Sequence, residues 1–348
     1  MLKEPLKMAR LIKTIACKGM FHCNVQVHYH CNFKCKICEF WKKSHQSKPS
    51  LSVADIRLIL EKIRPLGPQS MCLSGGEPLM HPEILDIAAI TAREHFVVLI
   101  CNGWFITPEL ARELFKTGIY EANISVDYAN AAQHDAMRGK EGAFDRAMAA
   151  LETLFASRCR KDQRVHMNSV LMADNVDQIE ELTKICKKIG ITHLITFYCG
   201  KRGTMQRAQD TKETVRRLLD IKKRYPELVT LPGYIERFAE AGQDGKGVGN
   251  CCTGKNLFDI DCQGNISRCL DWRDKPVGNI FHEDTNLLMQ RLHEQFVTMP
   301  CADCWTSCRG NVEALLYGKN RLRNWRAYYE IIRDVPFTAR AQDKPLHA

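Results

Sequence analysis

Long apolar stretches are missing from this chain of 348 residues, and no hydrophobic run is long enough to span a bilayer. The start of the chain also lacks the uninterrupted apolar core of a signal peptide, because Lys3, Lys7, Arg10 and Lys13 divide it. There is no internal repeat and no low-complexity tract. These absences argue against a helical membrane protein and a repeat array, and they predict a globular cytoplasmic protein.

A net negative charge is absent too, since the formal net charge is +10. No arginine-rich run with interleaved aromatic residues and no RNA-module signature accompanies this charge. We therefore expect a solvated basic surface and no nucleic-acid partner. Residues 1–23 form a basic amphipathic arm, with Leu2, Leu6 and Ala9 at helical spacing among lysines. Such an arm packs on its own domain or lies on a membrane surface, so peripheral membrane association stays open.

Cysteine, by contrast, is plentiful and unevenly distributed. Of the 17 cysteines, three fall within residues 31–38 and seven within residues 251–308. In a reducing cytosol we do not expect them to form disulfides. Clustered cysteines in a cytosolic protein indicate metal binding, and these two regions are the candidates.

A β/α rhythm begins near residue 24. Short apolar or alternating segments recur between helical patterns, which is typical of a parallel sheet. The predicted strands are 24–29, 70–73, 96–101, 120–126, 165–172 and 191–198. Helix-start signals separate them: a capping box at Ser52 and Asp55, an N-cap at Thr107 followed by Pro108, and a cap at Asp174. A further helix is predicted around residues 212–223.

These six units predict an α/β fold, a partial (β/α)6 TIM-like barrel spanning residues 24–235. A glycine-rich stretch at residues 241–249 reads as a linker. Residues 236–325 then form a small cysteine-rich domain with a hairpin turn at residues 263–265. The tail, residues 326–348, continues a helical pattern that covers residues 311–333.

The first constellation is the loop that follows the first strand. Cys31, Cys35 and Cys38 place three thiolates within eight residues. A four-iron cluster normally takes four cysteines, so three would leave one iron open for catalysis. A zinc site is the alternative, with His28, His30 or Glu39 as a fourth ligand.

Polar or glycine-rich segments follow the next three strands. Gly75, Gly76, Glu77 and Pro78 follow the second strand, and a glycine pair lets a ligand approach the backbone closely. Glu77 can accept a charge-assisted hydrogen bond from an amine. Further along, Asn102 follows the third strand, and Ser125 and Asp127 end the fourth. Because the carboxyl ends of barrel strands share one rim, these groups are expected to form a single site.

With these residues in view, residues 24–200 resemble the radical S-adenosylmethionine (SAM) superfamily. The resemblance rests on the spacing of Cys31, Cys35 and Cys38 and on the motif at residues 75–78. It implies that the three cysteines hold a 4Fe–4S cluster whose open iron binds SAM, and that the motif contacts the SAM amine. It also implies SAM-binding roles for four further residues: Asn102, Ser125, Asp127 and Arg138. One departure is Ile37, where the family usually has an aromatic residue near adenine, so Phe40 or Trp41 could substitute.

The second cysteine region resembles the auxiliary-cluster extension called SPASM, or its shorter relative, twitch. The resemblance implies a second 4Fe–4S cluster held by four cysteines: Cys252, Cys269, Cys301 and Cys304. After Cys308 no cysteine follows, which favours the one-cluster twitch form. Whether Cys251 or Cys252 is the ligand, and whether Cys308 competes, stays open, as does a structural zinc.

The resemblance implies an enzyme that cleaves SAM to a 5′-deoxyadenosyl radical and removes hydrogen from an organic substrate. Peptide modification is preferred over sugars, lipids and other small molecules, and an electron donor such as flavodoxin or ferredoxin is expected. No residue can be assigned as an acid, a base or a radical relay. The alternative is a non-catalytic zinc or iron–sulfur module that binds RNA or protein. Loss of SAM binding in Glu77→Ala and Cys35→Ala would argue against that alternative.

Overall fold

One curved sheet runs through the chain. In the computed structural model, which describes residues 4–209, 211–241, 248–249, 251–318 and 320–333, nine strands form this sheet in the order β6-β5-β4-β3-β2-β1-β7-β8-β9. The strands are β1 His22–His28, β2 Ser70–Gly75, β3 Phe96–Cys101, β4 Glu121–Ser125, β5 Arg164–Leu171, β6 Thr192–Phe197, β7 Leu257–Ile260, β8 Asn265–Ser267 and β9 Gly278–Asn279. Strands β1–β6 are parallel throughout, which confirms the predicted α/β partial barrel.

The helices cover one side of the sheet, and the described part of the chain begins and ends with a helix. Their bounds are α1 Glu4–Ala16, α2 Lys43–Gln46, α3 Val53–Ile63, α4 Ile84–Ala92, α5 Pro108–Lys116, α6 Ala131–Arg138, α7 Ala143–Ser157, α8 Ile179–Ile189, α9 Thr211–Arg224, α10 Pro232–Glu236, α11 Phe238–Ala241, α12 Thr285–Thr298, α13 Ser307–Leu316 and α14 Arg321–Arg333. Among the described residues, no helix combines the length and the apolarity that crossing a membrane requires.

Two of the predicted helix starts are confirmed and one is wrong. Ser52 and Asp55 form the reciprocal capping box, and the Thr107 side chain accepts from the Leu110 N–H with Pro108 at the first helical position. Asp174, however, caps no helix, because α8 begins only at Ile179, after a 3₁₀ turn. The Asp174 carboxylate instead accepts a hydrogen bond of 2.8 Å from the Tyr128 hydroxyl.

The arm packs on the barrel through α1. Leu11 and Ile15 are buried in the hydrophobic core. Lys7 is buried as well, and its Nζ donates to the carbonyls of Ala92 and His95 at 3.0 and 3.2 Å. These carbonyls lie at and just after the end of α4, where a cation satisfies otherwise unpaired acceptors. The arm is therefore bound to its own domain on this face.

The concave face of the sheet can be identified from contacts across it. His22 on β1 and Glu121 on β4 interact electrostatically although β2 and β3 separate their strands. Residues in register with them therefore face the concave side, and alternate residues such as Val25 and Leu73 face the helices. Toward the carboxyl ends, this concave polar face comprises Gln26, Ser74, Asn123, Ser125, Asn168 and Asp259.

At the amino ends of the strands, the same concave side encloses a cavity of about 170 Å³. Residues from five strands line it, and Leu11 of α1 and Tyr328 of α14 cover it. The barrel is therefore closed at this end, and its chemistry is left to the opposite rim.

The C-terminal extension continues the sheet of the barrel. Strand β7 pairs in parallel with the free edge of β1, and β8 and β9 follow in antiparallel order. The predicted hairpin turn is confirmed: Asp261 Oδ1 accepts from the N–H groups of Gln263 and Asn265. Helix α13 lies against β6, where the Ser307 N–H donates to Thr196 Oγ1 at 3.0 Å. Most of the predicted linker, and residues 334–348 of the tail, lie outside the described residues.

Candidate metal and SAM site

The three cysteines of the first loop lie directly beyond β1, and each sulfur has an N–H donor near it. The backbone N–H of Phe33 donates to Cys31 Sγ at 3.4 Å, and that of Phe40 to Cys38 Sγ at 3.5 Å. The third, Cys35 Sγ, lies 3.9 Å from Nη1 of Arg138. Hydrogen bonds to sulfur stabilise thiolates and iron–sulfur clusters. The donor set therefore fits a cysteine-ligated cluster.

Burial governs the protonation of these thiols without metal. It raises the pKa of Cys31 to about 12, although the Phe33 N–H opposes the shift. Burial also raises the pKa of Cys35, against the effect of Arg138. Both thiols are consequently protonated at neutral pH in the metal-free protein, and metal binding would release their protons.

Aromatic side chains support this loop from behind. Trp41 Nε1 donates to the carbonyls of Cys35 and Cys38 at 3.1 and 2.8 Å. Phe40 is buried and packs on Tyr29 with ring centroids 4.6 Å apart. Both residues, which the sequence offered as substitutes for Ile37 beside adenine, thus hold the loop in place. Trp104, just beyond β3, meets Phe33 edge to face at 5.8 Å and adds an aromatic wall.

The glycine pair of the second motif is explained by the chain itself. A Cβ on Gly75 would lie 2.0 Å from the His28 carbonyl oxygen, and a Cβ on Gly76 equally close to that of His30. The Gly76 N–H donates to the His28 carbonyl at 2.8 Å, and the Glu77 N–H to the His30 carbonyl at 2.7 Å. Only glycine permits this contact, which fixes the segment leading into Cys31.

Glu77 is buried, and backbone amides hold both of its carboxylate oxygens. Oε1 accepts from the Leu79 N–H at 3.0 Å and Oε2 from the Asn102 N–H at 2.7 Å. Burial raises the pKa of Glu77 to about 7, while these two hydrogen bonds and Arg138 oppose the shift. Each oxygen keeps a second lone pair, so the carboxylate can still accept from an amine. Pro78 is buried beside it and opens a 3₁₀ turn.

Asn102 connects this carboxylate to the cysteine loop. Its Nδ2 donates a hydrogen bond of 2.8 Å to Oδ1 of Asn32, and Asn32 directly follows Cys31. Its Oδ1 accepts a hydrogen bond from the Trp104 N–H. Ser125 ends β4 on the concave polar face, half-buried and in register with Asn168. The structure therefore brings Asn102 to the cysteine loop and places Ser125 on the same rim.

Asp127 and Arg138 form a buried ion pair with Nη2 2.5 Å from Oδ2. Oδ1 of Asp127 also accepts from the Val170 N–H at 2.8 Å. Burial raises the pKa of Asp127, and Arg138 opposes that shift. Because Arg138 also reaches Cys35, this pair links the β4 rim to the cysteine loop.

In the extension, Cys251, Cys269 and Cys304 lie within electrostatic reach of one another. Burial raises the pKa of Cys304 to about 12 and raises that of Cys269 as well, and Cys251 contributes to both shifts. The backbone N–H of Cys251 donates to the Cys301 carbonyl at 2.7 Å. Cys252, the residue inferred from the sequence as a ligand, instead belongs to the hydrophobic core.

Two buried arginines fix these turns. Arg268 donates to the carbonyls of Met299 and Cys251 at 2.6 and 3.3 Å. Arg309 donates to the Cys304 carbonyl at 2.9 Å and pairs with Glu313. A hydrogen bond from Cys252 lowers the pKa of Cys251 against the effect of burial, with help from Thr253 and Arg309. A hydrogen-bonded thiol whose pKa is lowered in this way suits a metal ligand.

Among the described residues, no three side chains of His, Cys, Asp or Glu are already grouped closely enough to hold a single metal ion. The sequence did not reveal the contacts of Arg268 and Arg309, or that Cys251 lies near Cys269 and Cys304. Nothing in the local sequence distinguishes Cys251 from its neighbour Cys252.

The fold and the site define the class first: an α/β-barrel protein with a cysteine-rich site at the carboxyl ends of its strands. The model of the Radical SAM superfamily matches residues 25–186 and identifies this part of the chain as a radical SAM domain. Members of this superfamily use a 4Fe–4S cluster and SAM as cofactors. The recognition of a radical SAM protein with a C-terminal cysteine-rich extension of the SPASM or twitch type is thereby confirmed.

Two curated relatives match different lengths of the chain. An AdoMet-dependent heme synthase from Methanosarcina barkeri is 30% identical over 174 residues, which cover 50% of this chain and 49% of the relative. The chain thus spans about half the length of that curated relative. The mycofactocin maturase MftC from Mycolicibacterium smegmatis is 28% identical over 306 residues, 83% of this chain and 77% of the relative.

Solved structures show the same fold. SuiB from Streptococcus suis, bound to its precursor peptide SuiA, superposes with a TM-score of 0.63 at 14% identity, over 83% of this chain and 71% of that one. The enzyme anSMEcpe with bound AdoMet gives a TM-score of 0.63 at 16% identity and covers 93% of this chain and 99% of that one. Both likenesses extend beyond the barrel into the extension.

Proposed function

We propose that the protein reductively cleaves SAM and abstracts hydrogen from a polar organic substrate, with peptide modification as the preferred reaction. The observation that carries this proposal is the loop of Cys31, Cys35 and Cys38, whose three sulfurs each have an N–H donor on a rim that also holds Glu77. A structural zinc site would need neither the glycine–glutamate motif nor its hydrogen bonds to the loop.

The residues have separate tasks in this proposal. Cys31, Cys35 and Cys38 would hold the 4Fe–4S cluster, which would supply radical chemistry from bound SAM. Glu77, fixed by two backbone amides, accepts from the amino group of SAM, and Gly75, Gly76 and Pro78 shape the turn around it. Asn102, Ser125, Asp127 and Arg138 complete the SAM site on the rim. The Asp127–Arg138 pair orients the loop through Cys35.

The extension would hold the second 4Fe–4S cluster. Cys269, Cys301 and Cys304 are three of its proposed ligands. For the fourth we prefer Cys251 over Cys252, because Cys251 is near Cys269 and Cys304 and Cys252 packs in the core. An auxiliary cluster there would accept an electron from the substrate. A flavodoxin or ferredoxin would deliver the electron that starts the reaction, in a cytoplasmic setting.

The concave polar face supports a polar substrate. Amide, hydroxyl and carboxyl side chains line it toward the carboxyl ends of the strands, where Gln26 Nε2 donates to Asp259 Oδ1 at 2.9 Å. Such side chains match the amides of a peptide backbone better than a lipid tail. The similarity to MftC over both the barrel and the extension is consistent with a peptide substrate.

The experiment is to measure iron and sulfide per chain after anaerobic reconstitution, together with 5′-deoxyadenosine formed from SAM under a chemical reductant. Two four-iron clusters would give roughly eight irons, and changing Cys31, Cys35 and Cys38 to Ala would leave roughly four and no 5′-deoxyadenosine. Zinc in place of iron, unaffected by the triple substitution, would contradict the proposal.

Glu77→Gln separates SAM binding from cluster assembly. This variant should keep all of its iron and lose most of its affinity for SAM, because an amide accepts less strongly from an ammonium group than a carboxylate does. Equal SAM affinity in both proteins would remove Glu77 from the site while leaving the cluster assignment intact.

A further inference from the structure

A short segment after β6, residues 199–204, touches both cysteine regions, and we name it the bridge segment. On one side it meets the first loop between Cys35 and Cys38. The Thr204 N–H donates to the Lys36 carbonyl at 2.7 Å. At Gly203 a Cβ would lie 2.2 Å from the same oxygen. The contact is therefore close enough to require glycine.

On its other side the bridge segment meets the extension through two ion pairs. Nε of Arg202 lies 2.8 Å from Oδ1 of Asp271, which follows Cys269 by two residues. Nζ of Lys201 lies 2.8 Å from Oδ2 of Asp303, which precedes Cys304 directly. The turns that carry Cys269 and Cys304 are thus each bound by one cation of the segment.

The two ion pairs differ in their exposure to water. The side chain of Asp271 is 11% exposed, whereas that of Asp303 is 52% exposed. The sulfur of Cys199 adds a further contact at 3.9 Å from Oδ2 of Asp271. The two cations are similarly exposed, 30% for Lys201 and 27% for Arg202, so solvent screens the Lys201–Asp303 pair more strongly chiefly at its carboxylate.

Arg202 is also within electrostatic reach of thiols in both regions. Burial lowers the pKa of Arg202, but Asp271, followed by Cys199, Cys38 and Cys308, raises it above its ordinary value. Cys38 belongs to the first loop, and Cys308 lies in the first turn of α13 in the extension. A second ion pair also joins the two cysteine regions, between Glu39 of the first loop and Arg273 of the extension.

We propose that the bridge segment couples the two cysteine sites and that Arg202 is a positioning residue that sets the reduction potential of the auxiliary cluster. This inference rests on the proposed function, since it requires both clusters. Reduction adds a negative charge to a cluster, so a cation nearby favours the reduced form and an unpaired anion opposes it. Arg202 neutralises Asp271 beside Cys269, and its loss leaves that anion uncompensated.

The test is a redox titration of the reconstituted full chain, with electron paramagnetic resonance to follow the two clusters separately. Arg202→Gln should make the auxiliary cluster about tenfold harder to reduce, a negative shift of ~59 mV for one electron. The cluster of the first loop should shift in the same direction, because Arg202 is also within electrostatic reach of Cys38. Asp271→Asn should shift the auxiliary cluster in the positive direction.

Two further variants make the result specific. The double variant Arg202→Gln with Asp271→Asn removes both charges and should return the potential close to that of the unchanged protein. Lys201→Gln breaks the more exposed pair one residue away and should shift the potential less than Arg202→Gln does, although Lys201 is also within electrostatic reach of Cys301 and Asp271. If Arg202→Gln alone does not bind its second cluster, the opposite-signed shift of Asp271→Asn is the measurement that decides.

Equal shifts in Arg202→Gln and Lys201→Gln, or none in Arg202→Gln and Asp271→Asn with both clusters present, would overturn the inference and leave the proposed function intact. An unchanged protein that binds no second cluster would instead contradict the proposed function at the extension. The two failures are therefore distinguishable from the iron content alone.

Discussion

The backbone N–H of Asn102 donates a hydrogen bond of 2.7 Å to Oε2 of Glu77, and it joins the carboxyl ends of β3 and β2 across a buried carboxylate. The same asparagine reaches Asn32 with its side chain. The glycine–glutamate motif and the cysteine loop are thus parts of one hydrogen-bonded unit before any cofactor binds.

Glu77 should make the stability of the metal-free protein depend on pH. Its pKa is about 7 in the fold, mainly through burial, against 4.5 for the free side chain. Between these values the native state holds a proton that the unfolded state releases. The contribution of Glu77 to the stability of the fold is therefore largest below about pH 4.5. It is lost as the pH rises through 7, a change on the order of 3 kcal/mol.

Urea unfolding of the unchanged protein and of Glu77→Gln at several pH values between 5 and 8 measures this effect. The stability difference between the two proteins should change with pH in favour of the variant as the pH rises. Curves that stay parallel would show that the proton on Glu77 is not linked to folding.

Arg138→Gln should destabilise the fold strongly. It removes the partner of Asp127, whose carboxylate is fully buried, and an unpaired buried charge costs about 3–5 kcal/mol. Adding Asp127→Asn should recover much of the loss, because no charge is then left unpaired. Denaturant unfolding measures both variants, and equal losses in the single and the double variant would contradict this account.

Gly76→Ala should disrupt the cysteine loop, because its Cβ would lie 2.0 Å from the His30 carbonyl oxygen. We expect loss of the iron held by Cys31, Cys35 and Cys38 after reconstitution. Gly142→Ala is the matched control: its φ is +74°, yet nothing lies within 4 Å of the added atom. The control should lose about 1 kcal/mol from backbone strain and keep its iron.

Cys251→Ala and Cys252→Ala should separate a ligand from a core residue. We expect Cys251→Ala to retain roughly four irons of the eight after reconstitution. The other variant should keep both clusters and lose about 1–2 kcal/mol of stability from a small core cavity. Iron analysis and thermal unfolding decide between them, and the reverse pattern would restore Cys252 as the ligand.

Much of the barrel could be predicted from local patterns. Apolar runs and alternating patterns predicted all six parallel strands, because burial on one or both faces of a strand sets the spacing of its apolar residues. The helix starts predicted at Ser52 and Thr107 are confirmed, because the hydrogen-bond partners of these side chains lie only three residues away. The helix start predicted at Asp174 is wrong, because its carboxylate is bound by the Tyr128 hydroxyl, 46 residues away in sequence.

The contacts between the two cysteine regions could not be predicted in this way. Arg202 and Asp271, or Glu39 and Arg273, are ordinary charged residues in their local sequence, and only the fold brings them together. The pairing of β7 with β1 is likewise invisible, because Leu257–Ile260 is a short apolar strand that would suit any sheet edge. The choice between Cys251 and Cys252 likewise depends on which of the two lies near Cys269 and Cys304 in the fold.

The position of β7 has a consequence for how the protein is made. Gln26 and Asp259, which pair across β1 and β7, are 233 residues apart in the chain. On the ribosome, β1 therefore emerges early and its edge stays unpaired until most of the polypeptide has been synthesised. An exposed strand edge is a template for aggregation. Rapid translation or truncation before residue 257 should favour insoluble chains, and slower expression at low temperature should favour soluble protein.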